Sequence, residues 1–351
     1  MTQIPPAAYR YTSFILLFLT FIVIGLGAWT RLVDAGLGCP DWPGCYGFIG
    51  VPNTEEKIAL AESRFPESPV EIEKGWPEMI HRYAAGLLGL CIFVFAAYSW
   101  KLHRQGYRVP VYLASFLAFW VVCQAVFGWW TVSMKLWPKI VTIHLLGGML
   151  TLSCVFLLCL KQSACMNMKM NLSHWSGYPK SSLSLLKKGT YLALFLVVLQ
   201  IALGGWLSSN YAALICPDFP QCHDSWWPKM DFVDGFNLLQ PIGVNYLGGQ
   251  LAAEARTAIH YMHRILALLI ILLFIPLMMR LMLVAGNYIL LKRAAFLALL
   301  VLLVQVTLGI TNVLAQVPLS IAIAHNLVAA CLLLSVLYIL FLFSRYSIVV
   351  P

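Results

Sequence analysis

Eight stretches of this sequence run for about twenty residues with almost no charge, the length a helix needs to cross the hydrocarbon of a bilayer. They fall at residues 12–33, 77–100, 109–132, 139–161, 189–208, 256–279, 291–313 and 318–344. A chain built this way is an all-α integral membrane protein. Composition agrees: 61% of the 351 residues are hydrophobic and 11% charged, against about 25% charged in soluble domains. The first stretch is too long for the apolar part of a signal peptide and has no small-residue cleavage site, so it reads as a retained helix.

Charge orients the spans. The segments before helix 1, after helix 8, and between helices 2 and 3, 4 and 5, and 6 and 7 hold thirteen Lys/Arg and no Asp or Glu. All fourteen acidic residues lie toward the other side, with ten Lys/Arg. The positive-inside rule then places both termini in the cytoplasm and the loops 34–76 and 209–254 outside. The net charge of +9 is thus a matter of topology, and nothing asks for nucleic acid.

One short motif is written twice. Cys39-Pro-Asp-Trp-Pro-Gly-Cys45 returns as Cys216-Pro-Asp-Phe-Pro-Gln-Cys222, five of seven positions being identical. The offset is 177. His81-Arg82 matches His263-Arg264 at 182, and Gln124, Gly128 and His144 match Gln305, Gly309 and His325 at 181. The chain is therefore expected to be two four-helix halves, 1–162 and 189–351, joined by a polar connector at 163–188. An even number of spans per half makes the repeats parallel, related by a pseudo-two-fold axis along the membrane normal.

The register turns scattered histidines into pairs. Ionisable residues inside a membrane are costly and mark function by default. His81, His144, His263 and His325 each lie roughly 6–12 Å below the outer surface at 1.5 Å rise per residue. A single helical histidine reads most simply as a hydrogen-bonded core residue. Four of them, paired in two copies of one bundle, point to axial ligation of two haem-like macrocycles. His260, one turn before His263, competes for the same ligand role, but the shared His-Arg dipeptide favours His263.

The halves differ at one informative place. Glu78 precedes His81 by three residues, where the second half has His260. A carboxyl group one turn from a macrocycle ligand can handle protons or charge, or it can simply complement the helix dipole; spacing leaves both readings open. Arg31, Arg82, Arg264, Lys135 and Lys139 stand at the external boundary, where they would bind propionates or snorkel to lipid headgroups.

Cys39, Cys45, Cys216 and Cys222 fall in the external loops, where disulfides persist. Pro, Asp and Gly between them favour the tight turn such a bridge requires. A staple is the simpler role, above all for Cys216–Cys222, while a redox role stays open for Cys39–Cys45. Zinc fits less well, because only His223 is nearby. The other six cysteines read as small apolar fillers.

Taken together, Thr30-Arg31-Leu32, the first Cys loop, Glu78-Met-Ile-His81-Arg82, His144, the second Cys loop, His263-Arg264 and His325 resemble the heme A synthase family, in its bacterial form with a cysteine pair in each of two loops. The resemblance covers all eight helices. It implies an oxidoreductase that converts the C8 methyl of heme O to the formyl of heme A, for terminal oxidases, by successive hydroxylations with oxygen from water. It also implies His81 and His144 flanking the substrate heme, His263 and His325 holding a resident heme b, and Glu78 as the catalytic carboxylate. Expected partners are heme O, heme A, a heme O synthase, membrane lipid and an electron acceptor for which a quinone is the candidate; a homo-oligomer is compatible with the sequence. The expected place is the bacterial cytoplasmic membrane. The rivals are a diheme b-type electron carrier, which needs no Glu78, a quinone-linked thiol oxidase, in which the cysteines would work and the histidines would be dispensable, and a transporter.

Overall fold

The structure is a computed structural model that describes residues 5–162, 180–285 and 288–347. Most of the expected connector, 163–179 with Cys165, lies outside the described residues. Ten helices are present among the described residues: α1 (Ala7–Leu32), α2 (Glu55–Arg64), α3 (Ile72–Arg104), α4 (Val111–Ser133), α5 (Pro138–Gln162), α6 (Lys180–Ser209), α7 (Phe232–Gly235), α8 (Ala253–Val284), α9 (Ile289–Leu314) and α10 (Leu319–Ser347). Eight of them, all but α2 and α7, are long and apolar enough to cross a membrane. They match the eight expected spans.

The spans outrun their apolar stretches. The sequence reads Pro77 as the opening of its helix, but α3 starts at Ile72 with Pro77 inside it; α6 starts at Lys180, nine residues before its apolar run. Hydropathy sees only the part of a helix that sits in hydrocarbon, whereas hydrogen bonding continues into polar turns at either end. A proline this near the start forfeits a single ladder bond.

The chain divides into two compact units, Met1–Met166 with Asn237–Gln250, and Asn167–Phe236 with Leu251–Pro351. In the first, α1 packs on α3 and α5, α3 on α4, and α4 on α5. In the second, α6 packs on α8 and α10, α8 on α9, and α9 on α10. Each unit is thus a closed ring of four helices with the same order of contacts. The first unit's core is filled by Leu16, Ile92, Phe95, Leu117 and Val155. Tyr9 stacks on Phe95 with ring centroids 4.7 Å apart, and its hydroxyl pairs with Ser99 Oγ at 2.7 Å. Burying that polar tip without the partner would cost about 1–3 kcal/mol.

The repeat extends to the backbone. Left-handed φ values recur at Asp34 and Tyr211, at Tyr46 and His223, at Lys135 and Gln316, and at Leu136 and Val317; Trp42-Pro43 and Phe219-Pro220 are both cis. The motif's aspartate explains its own recurrence. Asp41 accepts the N–H groups of Tyr46 and Gly47 at 2.6 and 2.7 Å. Asp218 accepts those of His223 and Asp224 at 2.8 and 2.9 Å. One carboxylate thereby satisfies both donors of the left-handed turn that follows the second cysteine.

The first loop has a small core of its own, in which Cys39, Cys45, Tyr46, Val51, Ala61 and Met79 are buried together. α2 supplies Ala61 to it. Thr54 caps that helix by accepting the Lys57 N–H, and Glu55 and Glu56 occupy its first turn, where negative charge complements the helix dipole. Asn237–Gln250, from the loop preceding α8, belongs to the first unit: the Tyr246 N–H donates to the Lys135 carbonyl at 3.0 Å, and Tyr246 is buried.

Candidate functional site

Each unit brings its two histidines together. In the first, His81 of α3 and His144 of α5 lie near enough to influence one another's charge; in the second, His263 of α8 and His325 of α10 do the same. A glycine on a neighbouring helix makes room for each ring. A Cβ at Gly27 would stand 2.9 Å from His81 Cε1, at Gly128 3.5 Å from His144 Cε1, at Gly204 3.4 Å from His263 Cε1, and at Gly309 3.1 Å from His325 Cε1. The same ring atom faces the same kind of residue four times.

The rings are incompletely partnered. Nδ1 of His81, His144 and His325 is buried without a hydrogen-bond partner among the described residues. Such orphans are rare in finished cores, because each costs the desolvation of a polar atom. Two neighbouring imidazoles in an apolar four-helix ring, three of the four rings having a nitrogen to spare, are a donor set that could hold a macrocyclic iron. The residues fit a heme in either unit.

Glu78 hangs from the first disulfide loop. It is buried, accepts the Cys39 N–H at 3.0 Å and the Gly38 N–H, and pairs with Arg82, one turn further along α3. Gly38 permits this approach: a Cβ there would lie 2.5 Å from the Lys74 carbonyl carbon and oxygen. The second unit has no carboxylate at this place. His260 is buried there and its Nδ1 lies 2.8 Å from the Ala212 carbonyl oxygen, so it is engaged with a loop, whereas His263 meets Gln200.

The arginines of both His-Arg pairs clamp the disulfide loops. Arg82 donates to the carbonyls of Asp41, Pro43 and Gly44; Arg264 donates to those of Gln221 at 2.7 Å and Cys216 at 3.1 Å. Gly44 and Gln221 are equivalent in the repeat, so one contact has been written twice. Both loops carry their bridges, Cys39–Cys45 and Cys216–Cys222. His223 lies beside the second pair, whose sulfurs are bonded to each other. Arg31 pairs with Asp34 at 3.1 Å, and Lys139 stands over the Trp137 ring at 5.5 Å.

Sequence reasoning passed over Gly27, Gly204 and Gln200. The two glycines were findable, since Gly27 and Gly204 obey the same 177 offset as the cysteines, whereas Gln200 has Val23 at its repeat position.

Residues 10–337 match the COX15-CtaA family, described as a cytochrome oxidase assembly protein. The chain belongs to the COX15-CtaA family. Its relatives carry a narrower name. It is 41% identical to a heme A synthase of Shewanella oneidensis over 93% of each chain. A heme A synthase of Halalkalibacterium halodurans is 24% identical over 92% of this chain and 93% of its own, and one of Agrobacterium fabrum 29% identical over 91% and 86%. The COX15-CtaA match spans both units, so both four-helix rings and both histidine pairs fall within the family's extent.

Proposed function

We propose that this chain makes heme A from heme O, oxidising the C8 methyl to a formyl group to equip a terminal oxidase. The observation that carries the reading is the unmatched Glu78. It shares α3 with His81, is gripped by Arg82 and the loop N–H groups, and is replaced by His260 in the other unit. A carrier of electrons alone has no use for that difference, whereas an enzyme with one reacting site and one supporting site does.

In this reading His81 and His144 hold the substrate heme O. His263 and His325 hold a heme b, which supplies one-electron relay chemistry when bound. The net change consumes one water and releases four protons and four electrons, in two hydroxylations through an alcohol and a hydrated aldehyde that loses water. Glu78 orients the attacking water or stabilises positive charge growing at the methyl carbon, and Arg82 fixes the carboxylate's direction. The electrons pass to an acceptor of the quinone class, and heme O arrives from a heme O synthase.

The charge asymmetry and the two disulfides support a placement in the bacterial cytoplasmic membrane, with both termini inside and the cysteine loops outside. Expression with a heme O source tests the function. Extracted pigment from the wild type should contain heme A or its hydroxylated precursor. Glu78→Gln should lower conversion at least about a hundredfold, the least that proton-handling groups contribute, while heme O remains bound. Full conversion by Glu78→Gln would sink the reading.

A further inference from the structure

The two units part company at the side chains that face the histidine rings. In the second unit each ring meets a glutamine amide from another helix. Gln200 Nε2 lies 3.3 Å from His263 Nδ1 and 3.1 Å from Nε2, and donates to the His263 carbonyl at 3.0 Å. Gln305 Nε2 lies 3.2 Å from His325 Nε2.

The first unit has neither contact among the described residues. At the 177 offset Gln200 becomes Val23, which offers His81 a backbone hydrogen bond only. At the 181 offset Gln305 becomes Gln124, whose amide is turned elsewhere. Its Nε2 is buried without a partner and lies where any side chain on Gly147 would stand. The repeat carries Val328 in place of Gly147, so the slot that receives the Gln124 amide is written into the first unit's sequence alone.

We propose that Gln200 and Gln305 are positioning residues that fix the His263 and His325 rings as a preorganised pair for a retained heme, while His81 and His144, with no side-chain amide on their rings, form a pair that binds and releases. This rests on the function proposed above and deepens it, assigning retention to one unit and exchange to the other from the protein's own side chains. Outer hydrogen bonds to a ligating imidazole fix its orientation and slow the loss of what it holds. Ligation through one ring nitrogen leaves the other as an N–H donor, for which the amide oxygen is the acceptor once the amide turns over; Gln200 Oε1 and Gln305 Oε1 are buried and have no other partner among the described residues.

The test uses the full-length protein loaded with heme b, with two readouts: the rate at which heme passes to excess apomyoglobin, and the ferric low-spin electron paramagnetic resonance signal, which reports the mutual orientation of two imidazole planes. Wild type should lose heme in a fast and a slow phase, the slow one vanishing in His263→Ala. Gln200→Met and Gln305→Met keep side-chain length without the amide. Each should speed the slow phase about fivefold, one hydrogen bond's worth, and shift the signal while leaving the fast phase alone. Gln200→Val installs the first unit's residue and should do the same, and Val23→Gln should slow the fast phase. An unchanged slow phase and an unchanged signal in the Gln200 and Gln305 variants overturn the proposal. Heme loss insensitive to both His263→Ala and His325→Ala overturns the heme reading beneath it.

Discussion

The backbone N–H of Cys39 donates to the Glu78 carboxylate at 3.0 Å, so the first disulfide loop and the carboxylate are held as one piece. Arg82 completes the link, since the same guanidinium pairs with Glu78 and donates to three carbonyls of the loop. The loop's covalent state therefore bears on where Glu78 points. In the second unit Arg264 grips its loop in the same way, but no carboxylate depends on it.

That asymmetry separates the two bridges. Opening a ring of this size releases about 2 kcal/mol of chain-entropy restraint, enough to let the Cys39 N–H leave Glu78. Cys39→Ser with Cys45→Ser should therefore cut heme A yield in membranes at least about tenfold, the effect of roughly 1.4 kcal/mol on a barrier. Cys216→Ser with Cys222→Ser should leave yield near wild type, because His260 is held by the Ala212 carbonyl, outside that ring. The reverse order of damage would contradict the link.

Tyr46 gives the first loop a pH limit. Burial pushes its hydroxyl up to about 12, helped by the negative charges of Glu71, Glu78, Glu62 and Asp41. The neutral hydroxyl donates to the Pro69 carbonyl at 2.9 Å. The folded loop prefers the neutral form, so this contribution is complete below the ordinary tyrosine value of 10.0 and is lost as pH rises toward about 12. Subtracting the ultraviolet tyrosinate titration of Tyr46→Phe from that of wild type should reveal one residue titrating near 12; a midpoint near 10 would count against the burial argument.

What the sequence could and could not disclose follows from the physics of each element. The eight spans were legible because hydrocarbon imposes length and apolarity. The repeat was legible because Cys39, Pro40, Asp41, Pro43 and Cys45 recur unchanged, the cysteines closing the bridge and the aspartate accepting both N–H groups of the turn. Helix α2 was hidden, since a ten-residue polar helix with one buried alanine has no apolar period to detect. The hold of Arg82 on the loop was hidden as well, because spacing does not say which way a long side chain turns. Gly27 and Gly204 were silent because a glycine in an apolar helix changes hydropathy little, and only the facing ring gives it meaning.

Asn237–Gln250 is tied to the first unit through the Tyr246 N–H and the Lys135 carbonyl. The Tyr246 hydroxyl donates to the Pro241 carbonyl at 2.6 Å, folding the segment back on itself around a buried ring. Exposed Leu239 and Ile242 add little to hold it. Tyr246→Ala keeps the backbone bond to Lys135 but removes the buried ring and its hydroxyl, at a cost of about 3–5 kcal/mol, the range for truncating a large buried aromatic. Limited proteolysis should then cut within 237–250 several times faster than in wild type, while cleavage near the Cys39–Cys45 loop stays unchanged. Equal protection in the variant would show that the buried ring does not hold the segment.

The four ring-facing glycines make a graded series in which two effects compete. Replacing an interior helical glycine by alanine favours the helix by about 1 kcal/mol. Overfilling a packed contact costs about 1–3 kcal/mol. At Gly128 and Gly204 the new Cβ would sit 3.5 and 3.4 Å from the ring, an ordinary contact, so propensity wins and alanine should be neutral or mildly stabilising. At Gly27 and Gly309 the distances are 2.9 and 3.1 Å, so the ring must move. Gly27→Ala should displace His81 and weaken heme binding in the first unit, and Gly309→Ala should displace His325 and weaken it in the second. Gly128→Ala and Gly204→Ala should bind as wild type. Heme content and thermal unfolding of the four variants check the order, which fails if the two closely fitted glycines tolerate alanine as well as the other two.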